Sequence, residues 1–170
     1  MFENITLSDR QNAEMDKVLN RLSEQGFKFR NDNEKALFVN VIKFFTLRNG
    51  SNLLTLPNFR FNDDVLVFEL NVPDGKPTFE IKNLASNPKM LLNWEHNVKE
   101  IQMYMEEQFK KICKGNGTRN VHVRLVDTQN KIAMLEIVNG EIRYDIGYYT
   151  IAKLLEPYAD KPTVPPEKMN

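Results

Sequence analysis

The apolar positions between Asn87 and Gly115 recur at steps of three and four: Leu91, Trp94, Val98, Ile101, Met105, Phe109 and Ile112. That spacing lines one face of an α-helix. The ends agree with it. Asn87 is a favourable N-cap, Pro88 stands where a missing N–H costs nothing, and Gly115 is a left-handed stop. At 1.5 Å per residue such a helix is roughly 40 Å long, more than the width of a small domain. Met90, Leu92, Met103 and Tyr104 lie off the stripe and widen the apolar surface beyond what one sheet face covers. The expectation is a helix that backs onto a sheet of its own chain and offers the surplus to a partner.

Upstream, Ser8 and Gln11 form a capping box ahead of the narrow apolar face of Met15, Val18, Leu19 and Leu22, which Gly26 ends. Asn31 and Glu34 read as a second capping box. They open a stretch apolar nearly all round, from Leu37 to Leu47, with only Asn40, Lys43 and Thr46 as a polar strip. This is the helix expected to be most buried. Leu54, Leu56, Phe59 and Phe61 alternate around Pro57, and DVLVFELN follows as a strand. Pro73-Asp74-Gly75 is a turn signal, so TFEIKNL is expected to return as a hairpin partner, with Glu80 facing Glu69. After the long helix, Val121, Val123 and Leu125 alternate with His122 and Arg124. Asn139-Gly140 is a strong hairpin signal. It pairs Ile137 with Ile142, Leu135 with Tyr144 and Ala133 with Ile146, and sets Glu136 opposite Arg143. A short helix from Tyr148 to Tyr158 carries Ile151, Leu154 and Leu155, and residues 160–170, with Pro162, Pro165 and Pro166, read as an extended or disordered tail. The order is α-α-βββ-α-βββ-α, an α+β fold with mainly antiparallel sheet packed on a long central helix. Residues 1–159 form a single domain.

Charge narrows the function. Lys+Arg and Asp+Glu both total 23 in 170 residues, so the net charge is zero and bulk attraction for nucleic acid is missing. The sequence has no apolar run of membrane-spanning length and no leader pattern at its start. A lone Cys113 rules out an internal disulfide and fits a reducing, cytoplasmic setting. Asn is frequent, at 20 of 170, as in A/T-rich genomes, a hint of a bacterial or phage source.

Several constellations bear on chemistry. Asp64 with Glu80-Ile81-Lys82 resembles the signature of the PD-(D/E)xK nuclease family. The element order from Glu34 to Asp127 is similar to that family's core as well. The resemblance implies that the carboxylates hold a divalent metal, which activates water for phosphodiester cleavage with the lysine helping. The hairpin register opposes it, because Asp64 then lies opposite Ala85, five residues or ~16 Å from Glu80. Lys110, Lys111, Lys114 and Arg119 surround Gly115-Asn116-Gly117 and make a candidate nucleic-acid patch, although a helix C-terminus repels anions. His96 and His122 lack metal-ligand spacing and Cys113 has no nearby histidine, so neither metal nor cofactor is expected. Tyr144, Tyr148 and Tyr149 crowd the end of the chain and, with Trp94, Met103 and Tyr104, form the candidate partner-binding set. The reading preferred on these grounds is a non-enzymatic protein–protein interaction or regulatory module, with homodimerisation as one form. A metal-dependent nuclease and a nucleic-acid-binding protein are the alternatives. The element order also resembles secretion-chaperone-like α+β folds, which speaks to fold alone.

Overall fold

The computed structural model describes residues 6–48, 53–71, 85–126 and 133–159. Its main elements run α1 (Asp9–Glu24), α2 (Asp32–Arg48), β1 (Asn58–Phe61), β2 (Val65–Asn71), α3 (Pro88–Gln108), β3 (Asn120–Val126), β4 (Ala133–Val138), β5 (Glu141–Asp145) and α4 (Ile146–Ala159). The class is α+β. The helix ends follow local chemistry. Ser8 and Gln11 cap each other reciprocally at 2.9 and 3.2 Å, and Asn87 Oδ1 accepts from Met90 N at 3.1 Å. Past Gln108 the long helix widens into a π-helical turn, Phe109–Cys113, before Gly115 ends it in the left-handed region at φ 76°.

The strands lie in chain order, β1-β2-β3-β4-β5. Three pairings are antiparallel, but β2 and β3 run parallel. Parallel neighbours need a crossover, and α3 lies in the chain between them. This corrects the expected β2 hairpin. Glu69 faces Asn58 on one side and Arg124 on the other, so neither edge of β2 is free across Leu66–Glu69. Residues 72–84, which hold the expected TFEIKNL strand, lie outside the described residues, as does the expected tail 160–170.

Leu66, Phe68, Leu70, Val121, Val123, Leu135 and Ile137 are buried and belong to one core with α2 and α3. On the α2 side, the Phe38 ring meets Phe29, Phe59 and Phe68 with centroids 5.5, 5.0 and 5.7 Å away. Trp94, Val98, Ile101 and Met105 of the α3 stripe are buried. So is Tyr104, off the stripe. Its ring stacks on Phe44 at 4.0 Å and its hydroxyl donates to Asn40 O at 3.0 Å. Arg48 of α2 also pairs with Glu100 of α3 and donates to Asn97. The expected surplus of apolar surface on α3 therefore shrinks to Leu92 and Met103, because α2 lies alongside and covers what the sheet does not.

The last hairpin turns at Asn139 (φ 52°) and Gly140 (φ 84°), and Ile137 faces Ile142 as expected. A bulge then shifts the register, so that Glu136 faces Tyr144 and Leu135 faces Asp145. Glu136 consequently does not meet Arg143, which pairs with Glu141 at 3.4 Å, and Ile146 opens α4 instead of pairing with Ala133. The shift turns Asp145 inward, where it is buried. A Cβ on Gly140 would fall 2.6 Å from the Glu106 backbone of α3, whereas one on Gly26, also left-handed at φ 85°, meets nothing within 4 Å. Gly26→Ala should therefore cost about 1–2 kcal/mol. Gly140→Ala should cost about 2–4 kcal/mol, since overpacking adds to the same backbone penalty. Urea midpoints measured at unchanged slope check the difference.

Candidate functional site

The first turn of α4 anchors it. Ile146, Gly147 and Thr150 are buried, and Thr150 donates its hydroxyl to Ile146 O at 2.7 Å. Beyond that turn every side chain from 151 to 157 is exposed. Leu154 is 46% exposed and Leu155 55%, Ile151 is exposed as well, and Tyr148 one turn earlier reaches 73%. Helical spacing puts much of this surface on one side. Lys153 and Glu156 pair at 3.3 Å on the other side of the helix. A surface helix ordinarily presents the opposite pattern, and clustered exposed apolar side chains mark an interaction site.

The root of α4 is a carboxylate joint. Asp145 is the residue before the helix, and its Oδ1 accepts from Gly147 N and from Trp94 Nε1, both at 2.8 Å. That is N-cap chemistry. Glu95 of α3 lies against the same point. Its Oε1 is sealed from solvent and faces no donor among the described residues. A Cβ on Gly147 would sit 2.0 Å from that oxygen and 2.5 Å from Trp94 Cδ1, so a larger residue has no room there. Burial, then the charge and hydrogen bonding of Asp145, push the Glu95 carboxyl up from 4.5 to about 7.

The sheet face away from the helices carries a row of charges across four strands. Arg60 pairs with Glu69 at 3.2 Å, Glu69 with Arg124 at 2.7 Å, Arg124 with Glu136 at 3.1 Å, and His122 Nε2 lies 3.1 Å from Glu136. Arg60, His122, Arg124 and Glu136, with Val65 and Val67, line a shallow basin of about 230 Å³. Each of these charged groups is matched by an opposite partner in the row, so the basin has no excess charge with which to recruit an ionic ligand.

The residues singled out in the sequence fall in different places. Trp94 and Tyr104 are core residues and present no face to a partner, a correction to their expected role. The cause is the pair of neighbours, α2 and the root of α4, that flank α3. Met103 is partly exposed, Tyr144 is half-buried opposite Glu136, and Tyr148 lies on the open face of α4. The side chain of Tyr149 lies outside the described residues. In the basic cluster, Lys110 pairs with Glu106 at 2.9 Å, Lys111 with Glu107 at 2.8 Å and Arg119 with buried Glu34 at 2.9 Å. Three of its four cations, Lys114 being the other, are thus committed to carboxylates of the same chain. Asp64 sits in the β1–β2 turn, its N–H donating to Asn62 Oδ1 and its carbonyl accepting from Asn120 N. Glu80 and Lys82 lie outside the described residues. Among the described residues no group of three His, Cys, Asp or Glu is arranged to hold a metal. Cys113 is buried, and burial pushes its thiol up, away from the reactive thiolate.

Two features escaped sequence reasoning. At the start of α2, Asn31 Oδ1 accepts from Glu34 N and the Glu34 carboxylate reaches back to Arg30 N, both at 3.0 Å, but the same carboxylate also turns inward to Arg119, which the local pattern does not show. Glu95 and Asp145 meet from positions 50 apart in the chain, and no local pattern connects them. Among the described residues no helix is long and apolar enough to cross a membrane. Comparison with known protein families, with curated proteins and with solved structures finds no match to this chain.

Proposed function

We propose that this protein works by binding protein through the outer face of α4, and that the partner is a second copy of the same chain. The observation that carries this reading is the exposure of Tyr148, Ile151, Leu154 and Leu155 on a helix whose buried positions, among the described side chains, all lie in its first turn. A helix of this length gains little from propensity alone and relies on packing, so its unsupported outer half is the part of the fold that most needs an occupant.

Self-complementarity favours the second copy. In an antiparallel two-fold pairing centred between Leu154 and Leu155, Leu154 lies level with the partner's Leu155. Zero net charge removes long-range repulsion between copies. One 14-residue helix makes a small contact, so a concentration-dependent dimer is expected and not a permanent one.

Light scattering behind size exclusion and sedimentation velocity test this, from micromolar loading upward. The wild type should move from monomer to dimer as concentration rises. Leu154→Glu and Leu155→Glu should each hold the protein monomeric while shifting stability by no more than about 0.5 kcal/mol, because both positions are already in water. A wild-type monomer at every concentration, or a dimer indifferent to both variants, would overturn the reading.

A further inference from the structure

We infer that Glu95 and Asp145 share one proton at the root of α4, and that releasing this proton loosens α4 from α3. The geometry carries it. Asp145 Oδ1 already accepts two hydrogen bonds, from Gly147 N and Trp94 Nε1, which is the pattern of an ionised capping carboxylate. Glu95 sits beside it with a sealed oxygen that no donor faces among the described residues. Two carboxylates in contact without a cation between them cannot both be ionised at low cost. A proton on Glu95 resolves the conflict, since its O–H then donates to Asp145 and the buried oxygen is satisfied.

Among the described residues the charged neighbours are engaged elsewhere or exposed. On α3, His96 and Lys99 are exposed and Glu100 is engaged with Arg48 of α2. From α4 the joint receives the Gly147 backbone, while Tyr148 points to water and Lys153 is paired with Glu156. From β5 it receives Asp145 itself. Among the described residues, Asp145 is the charge that acts on Glu95, and together with burial it holds that group at about 7.

The sign follows from linkage. The docked state keeps a proton that a free glutamate loses near 4.5. Docking of α4 is therefore strongest below about 4.5, weakens as pH rises from there to about 7, and gains nothing more above that. Tenfold per pH unit is the ceiling, and a several-fold change is expected because Glu95 keeps some solvent. The consequence for self-association rests on the reading of α4 given above, but the proton does not. If α4 must be docked to pair, the dimer is tighter at pH 6 than at pH 8.

The protein carries its own probe, because Trp94 is the sole tryptophan and hydrogen-bonds to Asp145. Its fluorescence, titrated from pH 5 to 9 at a dilution where the protein is monomeric, should shift with a midpoint near 7. Glu95→Gln should abolish the shift, since the amide donates to Asp145 with no proton to lose. His96→Asn, which removes the neighbouring imidazole, should preserve it. The ¹³C carboxyl shift of Glu95 in the wild type reports the same event without any variant. Hydrogen exchange of amides 148–156, corrected for intrinsic rates, should be several-fold faster at pH 8 than at pH 6. A Glu95 carboxyl that titrates near 4.5, a fluorescence shift that disappears with His96, or α4 exchange indifferent to pH would each overturn the inference. If all three behave as expected and no dimer forms at either pH, only the self-association reading falls.

Discussion

Arg119→Ala is expected to lower the unfolding free energy by about 3–5 kcal/mol, the range for breaking a buried ion pair from one side. Glu34 is fully buried, at 0% exposure. Its carboxylate accepts from Arg30 N at 3.0 Å, from Arg119 N at 2.9 Å and from the Arg119 guanidinium at 2.9 Å. Removing the guanidinium leaves a charge in the core with two backbone donors and no counter-ion. It also strips the cation lying 5.3 Å from the centre of the Phe27 ring. The reciprocal change is expected to be at least as costly. Glu34→Leu orphans the same two N–H groups and strands a largely buried guanidinium, and each unmet donor adds about 1–3 kcal/mol. The double variant Glu34→Met with Arg119→Met removes both charges, yet it should not return to wild-type stability, because Arg30 N and Arg119 N still lack their acceptor. Urea unfolding of Glu34→Met, Arg119→Met and the double gives the coupling directly. An Arg119→Ala protein within about 1 kcal/mol of wild type would mean that the two backbone donors alone suffice to hold this carboxylate.

The same pair marks how far sequence reasoning reaches. Features decided by neighbours a few residues apart were legible. Ser8 with Gln11, Asn87 with Met90, and the turn at Asn139-Gly140 all follow from local geometry, as does the α+β class. The local role of Glu34 at the helix start is legible, since Asn31 Oδ1 accepts from its N–H and its carboxylate reaches back to Arg30 N, but its ion pair stands 85 residues away and no local pattern points to it. Alternation in β2 identifies a strand, but it holds no information about which strands flank it, so the parallel β2–β3 pairing was invisible. The bulge at β5 escaped for a related reason: a single shifted residue is selected by what Asp145 reaches across the core, not by the turn. Helical spacing found the α3 stripe correctly but underestimated its cover, since α2 buries Tyr104 from a second side. For α4 the spacing is silent on cover. It places Ile151, Leu154 and Leu155 on a short helix but does not say what covers them, and among the described residues nothing does.

Phe38→Ala should cost about 3–5 kcal/mol, against less than about 1 kcal/mol for Phe61→Ala. Both residues belong to one aromatic cluster that joins the 27–29 link, α2, β1 and β2. Their burial separates them. Phe38 is enclosed by Phe29, Phe59 and Phe68, so deleting its ring opens a cavity that three rigid neighbours cannot collapse into. Phe61 stands 42% exposed at the edge strand, packed on Phe27 at 4.5 Å, and its removal mostly trades one wet surface for another. Phe38→Leu keeps much of the volume and should fall between, near 1–2 kcal/mol. None of the three touches α4. Variants that stay folded should therefore keep the wild-type dependence of association on concentration, which separates loss of fold from loss of docking. Equal losses for Phe38→Ala and Phe61→Ala in urea unfolding would place the cluster at a solvent-accessible edge, and the core would then have to centre on α3 and β3 instead.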